Sequence, residues 1–166
     1  NAVLSLIRAE PKRAERMLED MSDLFRVLMA DNRKLVPLAD ELALLVGNGV
    51  KRAHATLRRG FEKDLEALPA PGEHVVVLDG AGHPRAIVRN THVELRHFNQ
   101  IDDEFAFTAG EGDLTLRWWL VAHRQQWSEQ AEREGFEIGE TSELVLEFFD
   151  LVWPRPEQPA DSAAQP

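Results

Sequence analysis

The 166-residue chain has no cysteine. That absence excludes disulfides, zinc ribbons, iron–sulfur clusters and thiol catalysis together. It also makes a reducing cytoplasm the expected compartment. No apolar run approaches the roughly 18 residues of a membrane span, and the start shows no charged-then-apolar leader, so no membrane partner is expected. Positive charge is scarce: 19 Lys and Arg stand against 29 Asp and Glu, a formal net charge of −10. Affinity for phosphate comes from Lys and Arg, so such a chain is a poor nonspecific ligand for duplex DNA or an anionic membrane unless its cations cluster. No G-x-G-x-x-G opens a helix and no Walker sequence occurs, so no cofactor is expected. The six histidines show no ligand spacing, with His92 and His97 on opposite faces of one strand. The acids Asp102, Asp103, Glu104, Glu111 and Asp113 offer oxygen ligands for Mg²⁺ or Mn²⁺, but acidic loops are usually just solvated, and no metal ligand is assigned.

What remains is a globular composition, with 43% hydrophobic and 29% charged residues, enough for one core without staples. The chain divides into three parts: an N-terminal helical segment over 1–36, a main domain over 37–154, and a tail over 155–166 whose Pro, Ala, Gln and Ser content predicts disorder. The first segment places Leu4, Ile7, Met17, Leu18, Met21, Leu24, Phe25 and Leu28 at helical spacing and carries no chemical motif, which makes it a candidate surface for a partner or a homodimer. In the main domain a helix carrying Leu38, Leu42, Leu45 and Val46 stops at Gly47-Asn48-Gly49. Val50–Leu57 reads as extended, Arg58–Leu68 as helix or loop, and Pro69–Gly72 as a break. His74–Leu78 and Ala86–Phe98 form a hairpin across a glycine-rich turn, the second strand bending near Asn90. A short acidic segment, Ile101–Phe107, leads to Gly110–Asp113. Asp113 is the predicted N-cap of a helix that sets Leu116, Trp119, Leu120, His123, Trp127 and Ala131 on one face and ends near Gly135. Leu144–Trp153 is the last strand, stopped by Pro154. This order predicts an α+β domain with an antiparallel sheet or small barrel.

Four segments in this order resemble the ASCH family of the PUA-like superfamily. Gly49-Val50-Lys51-Arg52-Ala53-His54-Ala55-Thr56-Leu57 is similar to its G-x-K-x-x-T-x-[ST] signature. Pro71–Gly80 is similar to its first hairpin. Gly110-Glu111-Gly112-Asp113, followed by Trp119, Ala122, His123 and Arg124, is similar to its E-G-D…W…A-H-R helix. Phe148–Pro154 is similar to its closing strand. The resemblance implies a small β-barrel flanked by helices, a cleft between them, and a link to RNA. Some relatives are reported as ribonucleases, and one branch removes acetyl groups from N4-acetylcytidine with a Lys, a Thr three residues on and a Glu. Carried over, Lys51 matches the Lys and Glu111 the Glu, while His54 stands where the Thr would be.

Read as chemistry, Lys51, Arg52, His54, Arg58 and Arg59 lie in a stretch without an acid, a local reversal of the −10 balance that could face phosphate. Lys51, His54 and Glu111 form a candidate catalytic trio, with His54 as base, Lys51 on developing phosphorane charge, and Glu111 as acid or orienter. Arg52, Thr56, Arg58 and Trp118 are the candidate ligand-binding residues. Thr56 shares a strand face with His54, and Trp118 is placed to stack a base. His123 is read as a satisfied buried histidine. The expected function is recognition of single-stranded RNA or a nucleotide-sized ligand in the cleft. The alternatives are an RNA-directed hydrolase (a ribonuclease or an amidohydrolase) and a regulatory protein-interaction module built on residues 1–35.

Overall fold

The computed structural model describes the backbone of residues 33–37 and the whole of 40–154. Nearly all of the predicted N-terminal helical segment, and the predicted tail, therefore lie outside the described residues. Five strands form one sheet: β1 (Arg33–Pro37), β2 (Ala53–Leu57), β3 (His74–Leu78), β4 (Pro84–His97) and β5 (Glu143–Trp153). They lie in the order β1-β3-β4-β5-β2. The last four are antiparallel neighbours and curl into a half-barrel, while β1 adds to β3 in parallel, Arg33 opposite His74 and Pro37 opposite Leu78. Helical spacing predicted helix through about residue 35. Instead, residues 33–35 are extended and paired with β3.

Each face of the sheet has its own core. On the inner face, α1 (Asp40–Gly47) closes the half-barrel by packing Ala43 and Val46 against Val75, Val77, Ala86, Val88 and Phe149. Asp40 and Glu41 favour its N-terminal end, where the helix dipole is positive. On the outer face, α3 (Asp103–Ala109) and α4 (Leu116–Glu134) cover Ala53, Ala55, Leu57, Leu144 and Leu146 with an aromatic cluster. In that cluster Phe105 meets Trp119 edge-on at 5.4 Å, and Phe98 meets Trp127 edge-on at 5.9 Å, the geometry favoured by the ring quadrupoles. β2 shows why both faces can be filled: Ala53, Ala55 and Leu57 are buried, and the alternate His54 and Thr56 are half-buried on the other side. The remaining helix, α2 (Arg58–Asp64), follows β2 directly and is anchored by buried Phe61.

The hairpin turn is organised by Asp79, which accepts from the backbone N–H of Ala81 and of His83, both at 2.9 Å, and from Arg85 Nε at 2.7 Å. The hydrogen bond from the His83 backbone, with those from Arg85 and Ala81, holds its carboxyl down at about 2. β4 bends where expected: its register with β5 shifts between Asn90 and His92. One local element is added and one expectation is corrected. Residues 103–109 of the acidic segment are helical, with Asp102 as N-cap accepting from Phe105 N at 2.8 Å. The long helix α4 is capped by Thr115, not Asp113; Asp113 instead accepts from the Thr115 amide at 3.0 Å and holds its hydroxyl at 2.6 Å. A carboxylate two residues before a threonine orients the cap better than it could itself reach the helix.

Candidate functional site

The site is built where three chain segments meet. After α1 the chain turns at Gly49, and the Lys51 amide donates back to the Leu45 carbonyl at 3.1 Å. The next amide, of Arg52, donates to the Thr108 carbonyl at the end of α3 at 3.0 Å. α3 then ends at Gly110 in the left-handed conformation, φ +70°, and a Cβ there would lie 2.5 Å from the Val50 carbonyl oxygen. Only glycine meets both demands. The close approach brings Glu111 against Lys51.

Lys51 is 1% exposed and Glu111 6%. The Lys51 ammonium donates to the Ala53 carbonyl at 2.8 Å, to the Ala109 carbonyl at 3.3 Å, and to Glu111 Oε1. An ammonium has three donors, and here each has an acceptor. Burial pulls the Lys51 pKa below the ordinary lysine value, and the charge of Glu111 resists that pull. The second oxygen of Glu111 faces His123 Nε2 at 3.4 Å. His123 rises from the buried face of α4, its ring stacked on Trp119 at 3.9 Å between centroids. Its Nδ1 lies 2.9 Å from the Trp119 carbonyl oxygen. A carbonyl only accepts, so Nδ1 carries a proton and donates. In the neutral ring Nε2 then presents a lone pair to the Glu111 carboxylate, and the contact becomes a hydrogen bond only when a proton is added. Burial lowers the His123 pKa, opposed by the Glu111 charge. Lys51, Glu111 and His123 are thus one buried relay with room for one more proton.

The relay backs a cleft of about 480 Å³ between the β2 edge, α2 and α4. His54, Thr56, Glu111, His123, Gln126 and Gln130 are among its polar lining, with Trp127 and Leu57 among its apolar walls. That volume is in the range of small-molecule sites. His54 also lines a narrow inner pocket that reaches Lys51.

Of the predicted residues, Lys51 and Glu111 touch, and His54 and Thr56 line the cleft into which Glu111 opens. Arg52, Arg58 and Trp118 are not brought to this cleft. Arg58 lies outside it, bound to Glu62 at 3.0 Å and Glu143 at 2.9 Å. Arg52 contributes its backbone to the join, and its side chain is exposed. Trp118 is 38% exposed and packs over Gly112, where a Cβ would lie 2.1 Å from its ring. Arg59 lines the cleft, but it is paired with Glu134 at 3.2 Å and lies over Phe136 at 3.7 Å. The acid-free stretch is therefore largely neutralised by acids from distant parts of the chain.

Sequence reasoning missed His123 as a site member, together with Gln126 and Gln130. The available signal was spacing: His123 sits four residues after the core Trp119, and 126 and 130 continue along the same side of the helix. Among the described residues no group of three His, Asp or Glu side chains is placed to hold a metal ion. None of the described helices is long and apolar enough to cross a membrane.

The family model for the ASCH domain matches residues 28–153. The ASCH domain from Lactobacillus crispatus JV V101 is 29% identical, with a TM-score of 0.71 over 83% of this chain and 94% of that one. A protein from Enterococcus faecalis V583 shares the fold at 24% identity, with a TM-score of 0.69 over 83% of this chain and 88% of that one. No functionally curated protein matches the sequence. With the matched residues spanning the sheet and the helices that cover it, the chain belongs to the ASCH domain family and has its PUA-like fold.

Proposed function

We propose that the chain binds RNA, or a nucleotide derived from it, in the cleft between β2 and α4. The observation that carries this reading is the cleft itself: about 480 Å³, with a carboxylate held by a buried lysine and with histidine, threonine and glutamine groups set among aromatic and aliphatic walls. Such alternation of stacking surface and hydrogen-bonding groups suits an unpaired base. The paired state of Arg58, Arg59 and Lys63 argues against a long duplex. With these described cations near the cleft already paired, few phosphate contacts form there, so binding should depend only shallowly on salt. Titrating a labelled short single-stranded RNA into the protein at two salt concentrations tests this. Saturable binding with a shallow slope is expected, and no binding at low salt overturns it.

A second reading, RNA-directed hydrolysis, is favoured by the Glu111–His123 contact, a place where a proton can be stored beside the cleft. In that reading His54 remains the candidate base. The role of Lys51 changes from touching phosphate to fixing the Glu111 carboxylate in place, because its three donors are occupied. Thr56, on the same strand face as His54, is the cleft hydroxyl an amidohydrolase would need. Loss of RNA turnover in His54→Ala, with binding retained, separates this reading from simple recognition.

A further inference from the structure

One wall of the cleft is main chain. β2 is the last strand of the sheet, so only one of its edges is laddered, by β5. The phase of that ladder is fixed at its start, where the Phe149 amide donates to the Arg52 carbonyl at 3.0 Å. Backbone groups alternate between the two edges of a strand, and the N–H and C=O of one residue share an edge. In the unbroken register that follows, His54 and Thr56 face Glu147 and Val145 through the ladder, while Ala53 and Ala55 turn their N–H and C=O away from β5. The Ala53 carbonyl agrees with this phase, since it accepts from Lys51 Nζ at 2.8 Å and not from β5. Ala55 lines the cleft and is 7% exposed. Among the described residues no hydrogen bond takes its N–H or its C=O. Buried main-chain groups are almost always paired, so a free donor and acceptor on a cleft wall point to a ligand that supplies both partners.

We infer that the Ala55 peptide edge reads the Watson–Crick edge of an unpaired base, its N–H donating to the base acceptor and its C=O accepting from the neighbouring base N–H. The inference rests on the nucleotide reading above and adds how the base is held. The two groups belong to one extended residue, so covalent geometry sets them side by side. They require an acceptor beside a donor. Uracil offers O4 beside N3–H, cytosine N3 beside N4–H, adenine N1 beside N6–H, and guanine O6 beside N1–H, so all four bases are taken. A base in a duplex already uses that edge on its complement, so the wall selects single strands and not a sequence. An added peptide strand would use the same kind of edge, but it needs free groups at successive alternate residues. Here Lys51 occupies the Ala53 carbonyl, and α2 begins directly after Leu57. One complete donor–acceptor pair is left between them, which suits one base and not a strand.

Titration of the whole chain with short labelled oligouridine, with the same oligomer of 3-methyluridine and with that of 5-methyluridine tests this. The 3-methyl group removes the N3–H donor, and the 5-methyl group adds the same bulk away from the Watson–Crick edge. Oligouridine and the 5-methyl oligomer are expected to bind alike, and the 3-methyl oligomer at least about tenfold more weakly, the loss that a two-bond base contact carries. Ala55→Pro puts a ring carbon where the base acceptor would lie, on the unladdered edge where proline is tolerated. In that variant the gap should close, and a gap that persists in the folded variant overturns the inference. Should the variant fail to fold, the oligomers on the wild-type protein decide alone. Equal binding of the 3-methyl and unmethylated oligomers, or equal loss in both methylated ones, overturns the Ala55 reading and leaves the nucleotide reading standing. So does binding of a mixed-sequence RNA without binding of oligouridine. Binding of no RNA at all overturns both.

Discussion

Lys51 and Arg58 belong to the same acid-free stretch, and their fates are opposite. Lys51 is buried with all three donors engaged, held to Glu111 from the loop after α3. Arg58, seven positions along, stays at the surface between Glu62 and Glu143. The chain turns inward at Lys51 because its amide and that of Arg52 are taken by α1 and α3, and it turns outward at Arg58 because a helix begins there. The difference is energetic as well as geometric. An exposed pair contributes little, since water and salt compete for both partners. A buried pair is a poor way to stabilise a fold, because desolvation consumes much of the attraction, but it is costly to break on one side only. A buried ion pair that opens on a cleft is therefore better explained by the cleft than by the core.

The comparison can be broken deliberately. Lys51→Met leaves Glu111 buried without its cation and should cost about 3–5 kcal/mol by chemical denaturation, whereas Lys51→Met with Glu111→Gln should recover most of that loss. Gly110→Ala attacks the join instead, forcing a side chain into φ +70° and against the Val50 carbonyl. It should cost on the order of 2 kcal/mol from backbone strain, with the clash added. His123 gives the relay a pH signature. Its folded pKa is lowered from 6.5 by burial, so the unfolded chain takes the proton more readily. Stability from this group is full above 6.5 and falls as pH drops toward the folded value. Thermal midpoints measured across that range should decline with acid, and His123→Phe should flatten the decline. Arg58→Ala, the exposed counterpart, should change stability by less than about 1 kcal/mol, and less again in high salt.

Much of the frame was legible in the sequence because its signals are local. Period-two alternation marked β3, β4 and β5; glycine and proline marked their ends; and the Trp119–His123–Trp127 spacing marked the buried face of α4. The strand over 33–37 was not legible, since its extended form comes from pairing with β3, a long-range contact that outweighs local propensity. At the site, Lys51 and Glu111 were found through the family signature, but their burial was not. Net charge and charge runs say nothing of which acid from elsewhere in the chain will meet each cation. Arg58 and Arg59 looked like a phosphate-facing edge until Glu143 and Glu134, far along the sequence, reached them. His123 looked like core because it is core; its Nε2 atom is also the relay's open end.

The central claim is that the Lys51–Glu111 pair serves the cleft and not the fold. Titration of a short single-stranded RNA into the Lys51→Met, Glu111→Gln double variant, shown to be folded by its thermal unfolding, tests it most directly. The account predicts a stable protein that no longer binds at concentrations saturating the wild type. A stable double variant with wild-type affinity would contradict it.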